Sequence, residues 1–313
     1  MQSQVRQETA PTLAAIGARA RRIIRSPQFR FGIIILLPTL LFYWFFHYKL
    51  ILEGFRLSVL RYNIQDPAKS LFVGLGNFES VMKHHLFMKS VGNTLSWSLL
   101  SFVIVLPLAM IISISLATLE RMRQFYQACI FLPYVVSLLA VALLFKMLLD
   151  AEVGQVNRFL RDLGLPTSRF LASTSAALPT LVGVASWKRI GFYVILITAG
   201  MLNIPEEIYD AALVDGARGW TRFWKITFPL IARTQMLVGI LLAIATLQVF
   251  TESFVLTEGG PANATYMYNM LLYNEAFMKL RFGPASAAAL LQFIVIFAIS
   301  MFQLKVLEPK WEY

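Results

Sequence analysis

The sequence predicts an all-α membrane protein with six transmembrane helices and one helical segment at the membrane surface. Of its 313 residues, 58% are hydrophobic and only 14% are charged, whereas a soluble domain carries about 25% charged residues. The mean hydropathy is +0.64. Six apolar runs each reach the roughly 20 residues that cross the hydrocarbon core of a bilayer as a helix. A soluble globular domain is therefore excluded, and the lipid bilayer is an expected partner.

The six predicted spans are separated by more polar segments. They cover residues 31–52, 91–116, 125–149, 178–202, 234–256 and 283–306. The apolar part of the first span is too long for a signal peptide, and no small-residue cleavage site follows it. We therefore expect all six to remain as transmembrane helices. They form one predicted domain at 31–306, between terminal segments at 1–30 and 307–313.

The charge of the N-terminal segment predicts the orientation of the protein. Residues 1–30 contain six arginines and one acidic residue, Glu8. Because arginine-rich and lysine-rich segments stay on the cytoplasmic side of a membrane, the N-terminus is predicted to be cytoplasmic. An even number of spans brings the C-terminus to the same side. Residues 54–90, 150–177 and 257–282 are then predicted to lie outside.

Net charge and residue types exclude several other classes of protein. The formal net charge of +11 is explained by topology and by attraction to anionic lipid rather than by nucleic acid. The single cysteine, Cys129, can form no internal disulfide. No glycine-rich nucleotide motif, HExxH zinc motif or cysteine cluster occurs, and the adjacent His84 and His85 are expected at the surface without a third metal ligand. The sequence thus predicts no catalytic residue, metal site or cofactor in this chain.

A polar, alanine-rich stretch at 203–231 interrupts the apolar runs and is typical of two short helices. Asn203 can cap the first helix, Pro205 suits its first turn, and the acidic residues that follow complement the helix dipole. Gly216 stands where a helix ends in a left-handed conformation. A second helix is predicted at 220–226. By the predicted topology, this pair of helices lies at the cytoplasmic membrane surface.

The stretch DAALVDGARGWTRFWKITFP at 210–229 resembles the EAA loop of ABC-importer membrane subunits, in which E-A-A is followed by D-G-A and a later I-x-L-P. The matching positions are Asp210, Ala211, Ala212, Asp215, Gly216, Ala217, Ile226 and Pro229. Asp210 stands where the family usually has Glu, and Phe228 where it usually has Leu. The resemblance implies that the helix at 205–215 couples the membrane domain to ATPase subunits, and the first six matching positions form the implied contact.

Other stretches extend the resemblance over most of the chain. In order they are FVGLGNF at 72–78, NTL at 93–95, LPY at 132–134, NIPEEIYDAA at 203–212 and LTEGGP at 256–261, followed by the rest of GGPANAT and by YNEAF. They are similar to stretches in the carbohydrate branch of the family, typified by the maltose permease. The resemblance implies a type I permease fold, a location in the inner membrane of a bacterial cell, and import of a sugar or oligosaccharide.

The same resemblance implies the partners and the energy source. In that family a second homologous permease subunit completes the pathway, two ATPase subunits bind ATP and Mg, and an extracytoplasmic solute-binding protein delivers the sugar. The chain is then expected to be a transport subunit rather than an enzyme. A stiff coupling helix suits this role, because closure of the ATPase pair must move whole bundles of spans.

Polar and aromatic residues inside the spans are the candidate pathway residues, because polar residues are rare and functional within a bilayer. An aromatic ring can cover the apolar face of a sugar while neighbouring polar groups bind its hydroxyls. The candidates are Tyr134, Trp187, Lys188, Gln248 and Glu252. Gln248 and Glu252 are four residues apart and are therefore expected on one face of the fifth span.

Alternatives remain open for these residues and for the substrate. Lys188 and the neighbouring Arg189 either extend toward the headgroups or form a structural pair with Glu252, and Trp187 equally suits an interfacial aromatic belt. If the solute is an acidic saccharide or glycerol phosphate, the two cations would bind its negative charge. An ion-coupled secondary transporter is a further alternative, but it predicts internal inverted repeats and no clear repeat occurs.

Overall fold

The computed structural model describes residues 26–307, and helices make up most of this range. The chain divides into two compact units, one ending at Arg56 and the other beginning at Leu57. Helix α1 (Pro27–Ser58) makes up nearly all of the described part of the first unit. Its start is capped by the hydroxyl of Ser26, and its apolar side chains are exposed.

The second unit contains twelve further described α-helices, short 3-10 helices at Pro67–Lys69 and Phe170–Ala172, a π-helix at Asn274–Met278 and one small hairpin. The helices are α2 (Gly76–Met82), α3 (Phe87–Ala117), α4 (Arg123–Val135), α5 (Leu138–Leu148), α6 (Gln155–Asp162), α7 (Ala177–Leu202), α8 (Glu206–Val214), α9 (Gly219–Leu230), α10 (Ala232–Leu247), α11 (Thr251–Thr257), α12 (Tyr268–Tyr273) and α13 (Phe282–Leu307). Strands β1 (Leu60–Arg61) and β2 (Leu71–Phe72) pair antiparallel, with Leu60 opposite Phe72. The predicted all-α class is confirmed, because this hairpin is the only sheet within residues 26–307.

Four helices of the described range, α1, α3, α7 and α13, are each long and apolar enough to cross a membrane. Two further pairs of helices pass the same test together, but each pair is bent. Helices α4 and α5 differ in direction by 86°, and α9 and α10 differ by 70°. By length and composition there are up to six spans if each bent pair counts as one, although the predicted fifth span at 234–256 covers α10 and α11 rather than α9. The predicted terminal segments fall largely on residues 1–25 and 308–313, which lie outside the described range.

The third predicted span, at 125–149, is interrupted and is not one continuous helix. Helix α4 ends at Val135, Val136 has an extended backbone (φ −65°, ψ 143°), and α5 begins at Leu138. Pro133 removes one backbone donor from the last turn of α4, and β-branched valines at its end favour helix less than leucine does. The break is invisible in hydropathy because apolar residues continue through it.

The fifth predicted span, at 234–256, is interrupted in the same way. Helix α10 ends at Leu247, and Phe250 leaves the helical region (φ −145°, ψ −61°) before α11 begins. Gln248 and Glu252 are therefore not one turn apart on a single helix, so the prediction that they share a face is wrong. Gln248 is exposed, whereas Glu252 is buried.

The core of the second unit is built around α3 and α7. One cluster of buried side chains includes Trp97 and Leu181, and another includes Val105 and Ile197. Small residues let the backbones of other helices approach α7 closely, as is common between membrane helices. A Cβ added at Gly191 would overlap the carbonyl oxygen of Ile130 and lie 2.9 Å from the Cα of Phe131. Helix α4 therefore packs directly on the backbone of α7.

Candidate coupling helix and pathway residues

Helix α8 forms at the predicted place but begins differently from the prediction. Pro205 occupies the capping position with no side-chain hydrogen bond, and Glu206 and Glu207 lie in the first turn. Asn203 instead lies at the C-terminal end of α7, so its predicted capping role is wrong. Proline can precede a helix because the first amides have no intrahelical acceptor in any case, and the carboxylates favour the positive end of the helix dipole.

The end of α8 is a tight left-handed turn at Gly216, as predicted. Gly216 has φ +78°. Its amide donates to the carbonyl of Leu213 at 3.1 Å, and the amide of Ala217 donates to the carbonyl of Ala212 at 2.8 Å. These two bonds form a Schellman motif, which satisfies carbonyls that the helix end would otherwise leave without donors. The turn therefore gives α8 a defined end.

The six coupling candidates separate into a packed and a free side. Ala212 is buried and Ala217 half-buried, whereas Asp210, Ala211, Asp215 and Gly216 are exposed. The buried side is held on α9 through Tyr209, whose hydroxyl lies 3.4 Å from that of Thr227. The guanidinium of Arg222 lies over the Tyr209 ring at 5.4 Å. A cavity of about 570 Å³ lies between α8, α9 and the ends of α3 and α7.

An ion pair and a capped helix end form a polar centre on α7. Arg189 pairs with Glu252 of α11, and the side chains of this pair are 19% and 2% exposed. The ammonium of Lys188 donates to the backbone carbonyl of Tyr134 at 3.0 Å and lies 5.5 Å from the centre of its ring. The alternative of a structural pair with Glu252 is thus confirmed for Arg189, while Lys188 has a different partner.

These two adjacent cations each bind a helix end at one of the two interruptions. Lys188 binds a carbonyl in the last turn of α4, where the helix dipole is negative, just before the break at Val136. Arg189 binds the carboxylate in the first turn of α11, just after the break at Phe250. Charge at both helix ends is therefore matched. The same turn of α7 fixes the position of both interruptions.

The structure brings only part of the predicted pathway set together. Tyr134 lies beside Lys188 and stacks on Phe192 with ring centres 5.0 Å apart. Trp187 is 48% exposed and meets Phe145 of α5 edge-on at 5.4 Å. Gln248 is exposed at the second break. Tyr134 and Trp187 thus offer accessible rings, whereas Lys188 and Glu252 already bind other residues of the chain.

Sequence reasoning missed a second polar network in the segment between α11 and α13. The amide of Asn93 on α3 donates to the carbonyls of Asn263 at 2.9 Å and Tyr266 at 3.1 Å. The hydroxyl of Thr265 donates to the carbonyl of Gly260 at 2.7 Å. The quoted stretches NTL and GGPANAT contain all of these residues except Tyr266, which directly follows GGPANAT. Their resemblance was the available signal, and their observed contacts hold the loop on the bundle.

Glu275, in the YNEAF stretch, forms a further polar cluster in this segment. Its carboxylate is buried and pairs with Lys279 at 2.7 Å and Arg281 at 3.1 Å. His84 lies 3.7 Å from it and is half-buried, which corrects the expectation of a surface position. Burial lowers the pKa of His84 from its ordinary value, the Lys279 and His85 charges lower this pKa further, and Glu275 opposes them. Within residues 26–307 no group of three potential metal ligands occurs.

Comparison with known proteins gives the family. A family model described as "Binding-protein-dependent transport system inner membrane component" matches residues 105–313. The sn-glycerol-3-phosphate transport system permease protein UgpA of Agrobacterium fabrum is 31% identical over 248 residues, which cover 78% of this chain and 83% of the relative. The multiple sugar-binding transport system permease protein MsmF of Streptococcus mutans is 35% identical over 241 residues, which cover 77% and 82%.

A solved structure confirms the fold. One chain of a bacterial alginate ABC transporter, crystallised in complex with an alginate pentasaccharide-bound periplasmic protein, matches with a TM-score of 0.81 and 24% identity. The match covers 94% of this chain and 100% of that chain. Because the family match spans more than half of the sequence, the protein belongs to the binding-protein-dependent transport system inner membrane components, the permease subunits of ABC importers, which are transport components and not enzymes.

Proposed function

We propose that this permease subunit forms part of the pathway for a neutral sugar or oligosaccharide. The observation that carries the proposal is helix α8, which exposes Asp210, Ala211 and Asp215 ahead of the left-handed residue of its Schellman turn. This face suits the docking of an ATPase subunit, because small side chains let a partner approach and the acidic groups provide specific contacts. The relatives include the multiple sugar-binding transport system permease protein MsmF, which supports a saccharide as the solute.

The charge distribution favours a neutral solute over an acidic one. The charge of Arg189 is matched by Glu252, and the ammonium of Lys188 is 3.0 Å from the Tyr134 carbonyl. An acidic saccharide or glycerol phosphate would have to compete with both contacts. The exposed rings of Tyr134 and Trp187 instead suit the apolar face of a pyranose, and the exposed amide of Gln248 suits its hydroxyls.

In this proposal the chain acts within a larger importer. A second permease completes the pathway, two ATPase subunits that bind ATP and Mg dock on the α8 faces, and an extracytoplasmic binding protein delivers the sugar. Both termini are cytoplasmic. Closure of the ATPase pair displaces α8, and the contacts of Tyr209 with α9 transmit this displacement to α10.

The test is reconstitution of the chain with its partner subunits in liposomes, followed by uptake across a panel of neutral and acidic sugars. We expect a loaded binding protein to stimulate ATP hydrolysis with a neutral sugar. Trp187→Ala and Lys188→Ala should each lower uptake about tenfold and leave the ATPase bound. The control is Leu143→Ala, which changes an exposed apolar residue of α5 and should leave uptake unchanged. Selective uptake of an anionic solute that Lys188→Gln abolishes would contradict the neutral-sugar proposal.

Coupling has a separate test at Gly216. A side chain there meets no atom within 4 Å, so Gly216→Val acts through the left-handed backbone, which costs about 1–2 kcal/mol for a residue with a Cβ. We expect about a five- to thirtyfold loss of ATPase docking, measured by co-purification from detergent. Gly216→Asn is the matched control, because asparagine tolerates this conformation better. Equal docking by the valine variant and the wild type would refute the coupling role.

A further inference from the structure

Helix α9 has an orientation that its coupling role does not explain. It lies at 70° to α10 and is separated from it by a single residue. Helix α10 lies in the fifth apolar run, at 234–256, which the sequence assigns to a membrane span. A helix that meets the end of a span at such an angle runs nearly parallel to the membrane surface. We therefore expect α9 to lie at the headgroup level.

One side of α9 carries a continuous row of aromatic rings. Trp220 and Trp224 are 73% and 46% exposed, and their ring centres are 5.5 Å apart. Trp224 meets Phe228 at 4.7 Å. Trp220 also lines the cavity between α8, α9 and the ends of α3 and α7. Exposed tryptophans are costly in water but favourable at the boundary between headgroups and acyl chains.

Cationic side chains accompany the aromatic row. Arg218 and Lys225 are exposed at either end of the first half of α9. Arg222 lies between them along the chain and contacts the Tyr209 ring of α8. An amphipathic helix with Trp on one face and Lys or Arg beside it is typical of binding in the interfacial plane of a bilayer with anionic lipids.

We propose that α9 binds the phosphate groups of anionic phospholipids in the leaflet on the α8 side, with Trp220 and Trp224 inserted at headgroup depth. A bilayer fits this surface better than a protein partner does, because the row continues directly into a membrane span. The contact between Arg222 and Tyr209 places the lipid site next to the coupling helix. The proposal goes beyond sugar transport, and lipid binding can be measured without any measurement of sugar uptake.

The aromatic part is tested by fluorescence quenching with the full-length chain and its partner subunits in vesicles. The probes are phosphatidylglycerol and phosphatidylcholine that carry bromine near the glycerol end or near the methyl end of the acyl chains. The signal of the two tryptophans is the difference between the wild type and the Trp220→Phe, Trp224→Phe variant. We expect this signal to be quenched by bromine near the glycerol end, and more strongly by the anionic lipid.

The ionic part is tested by Lys225→Gln. One cation near an anionic surface contributes enough to change affinity about fivefold, so this variant should lower the preference for phosphatidylglycerol by about that factor. Lys89→Gln is the matched control. Lys89 is an exposed cation at the N-terminal end of α3, away from α8, so this variant should leave the lipid preference unchanged. Equal quenching by the two lipids, or no quenching in this assembled complex because the ATPase covers α9, would overturn the proposal.

Discussion

Gly191→Ala is expected to destabilise the helical bundle strongly, although it adds a single methyl group. The new Cβ would overlap the Ile130 carbonyl oxygen and lie within 3 Å of the carbonyl carbon of Ile130 and the Cα of Phe131. All of these are backbone atoms of α4, so relief requires a shift of the whole helix rather than a change of rotamer. Overpacking of this kind costs about 1–3 kcal/mol. The measurement is the unfolding midpoint of the purified chain in detergent.

Gly183→Ala provides the control on the same helix. A Cβ at Gly183 meets no atom within 4 Å, and alanine favours helix over glycine by about 0.5–1 kcal/mol. We therefore expect an unchanged or higher midpoint for this variant. In Gly191→Ala, by contrast, the separation of α4 from α7 should also lengthen the contact between Lys188 and the Tyr134 carbonyl. Equal midpoints for the two alanine variants would show that α4 does not pack on the backbone of α7.

The positions of the spans were predictable from the sequence, but their breaks were not. A run of apolar residues long enough to cross a bilayer identifies a span whether its helix is straight or interrupted. Val136 and Phe250, where the backbone leaves the helix, are apolar and leave the hydropathy unchanged. Only packing decides that the chain turns there. The end of α8 was predictable because Gly216 is a local signal for a left-handed turn.

The polar centre was predictable in its residues and only partly in its contacts. Charged side chains inside spans stand out in any composition analysis, which is why Lys188 and Glu252 were candidates. The pair between Arg189 and Glu252 was one of two open alternatives. The partner of Lys188 was not foreseeable, because a backbone carbonyl freed at the end of α4 has no signature in the sequence. The i,i+4 rule failed at Gln248 because it assumes a helix without a break.

Removal of either partner of the Arg189–Glu252 pair is expected to destabilise the protein more than removal of both. The carboxylate is 2% exposed, so Arg189→Met leaves a buried charge without a counterion. Breaking a buried pair in this way costs about 3–5 kcal/mol. Replacing both members with apolar residues of similar volume is often neutral. The variant Arg189→Met, Glu252→Leu should therefore recover most of the stability that either single change loses.

A double-mutant cycle on unfolding midpoints measures the coupling between Arg189 and Glu252. An exposed ion pair provides the comparison. Lys146 and Glu258 are 3.5 Å apart with side chains 46% and 76% exposed, so Lys146→Met should cost at most about 1 kcal/mol. In the recovered double variant, the start of α11 is no longer held on α7, so we expect sugar uptake to stay impaired despite normal stability. Recovery of both stability and uptake would show that the ion pair has a structural role only and none in transport. Additive losses would show that the two charges do not stabilise each other.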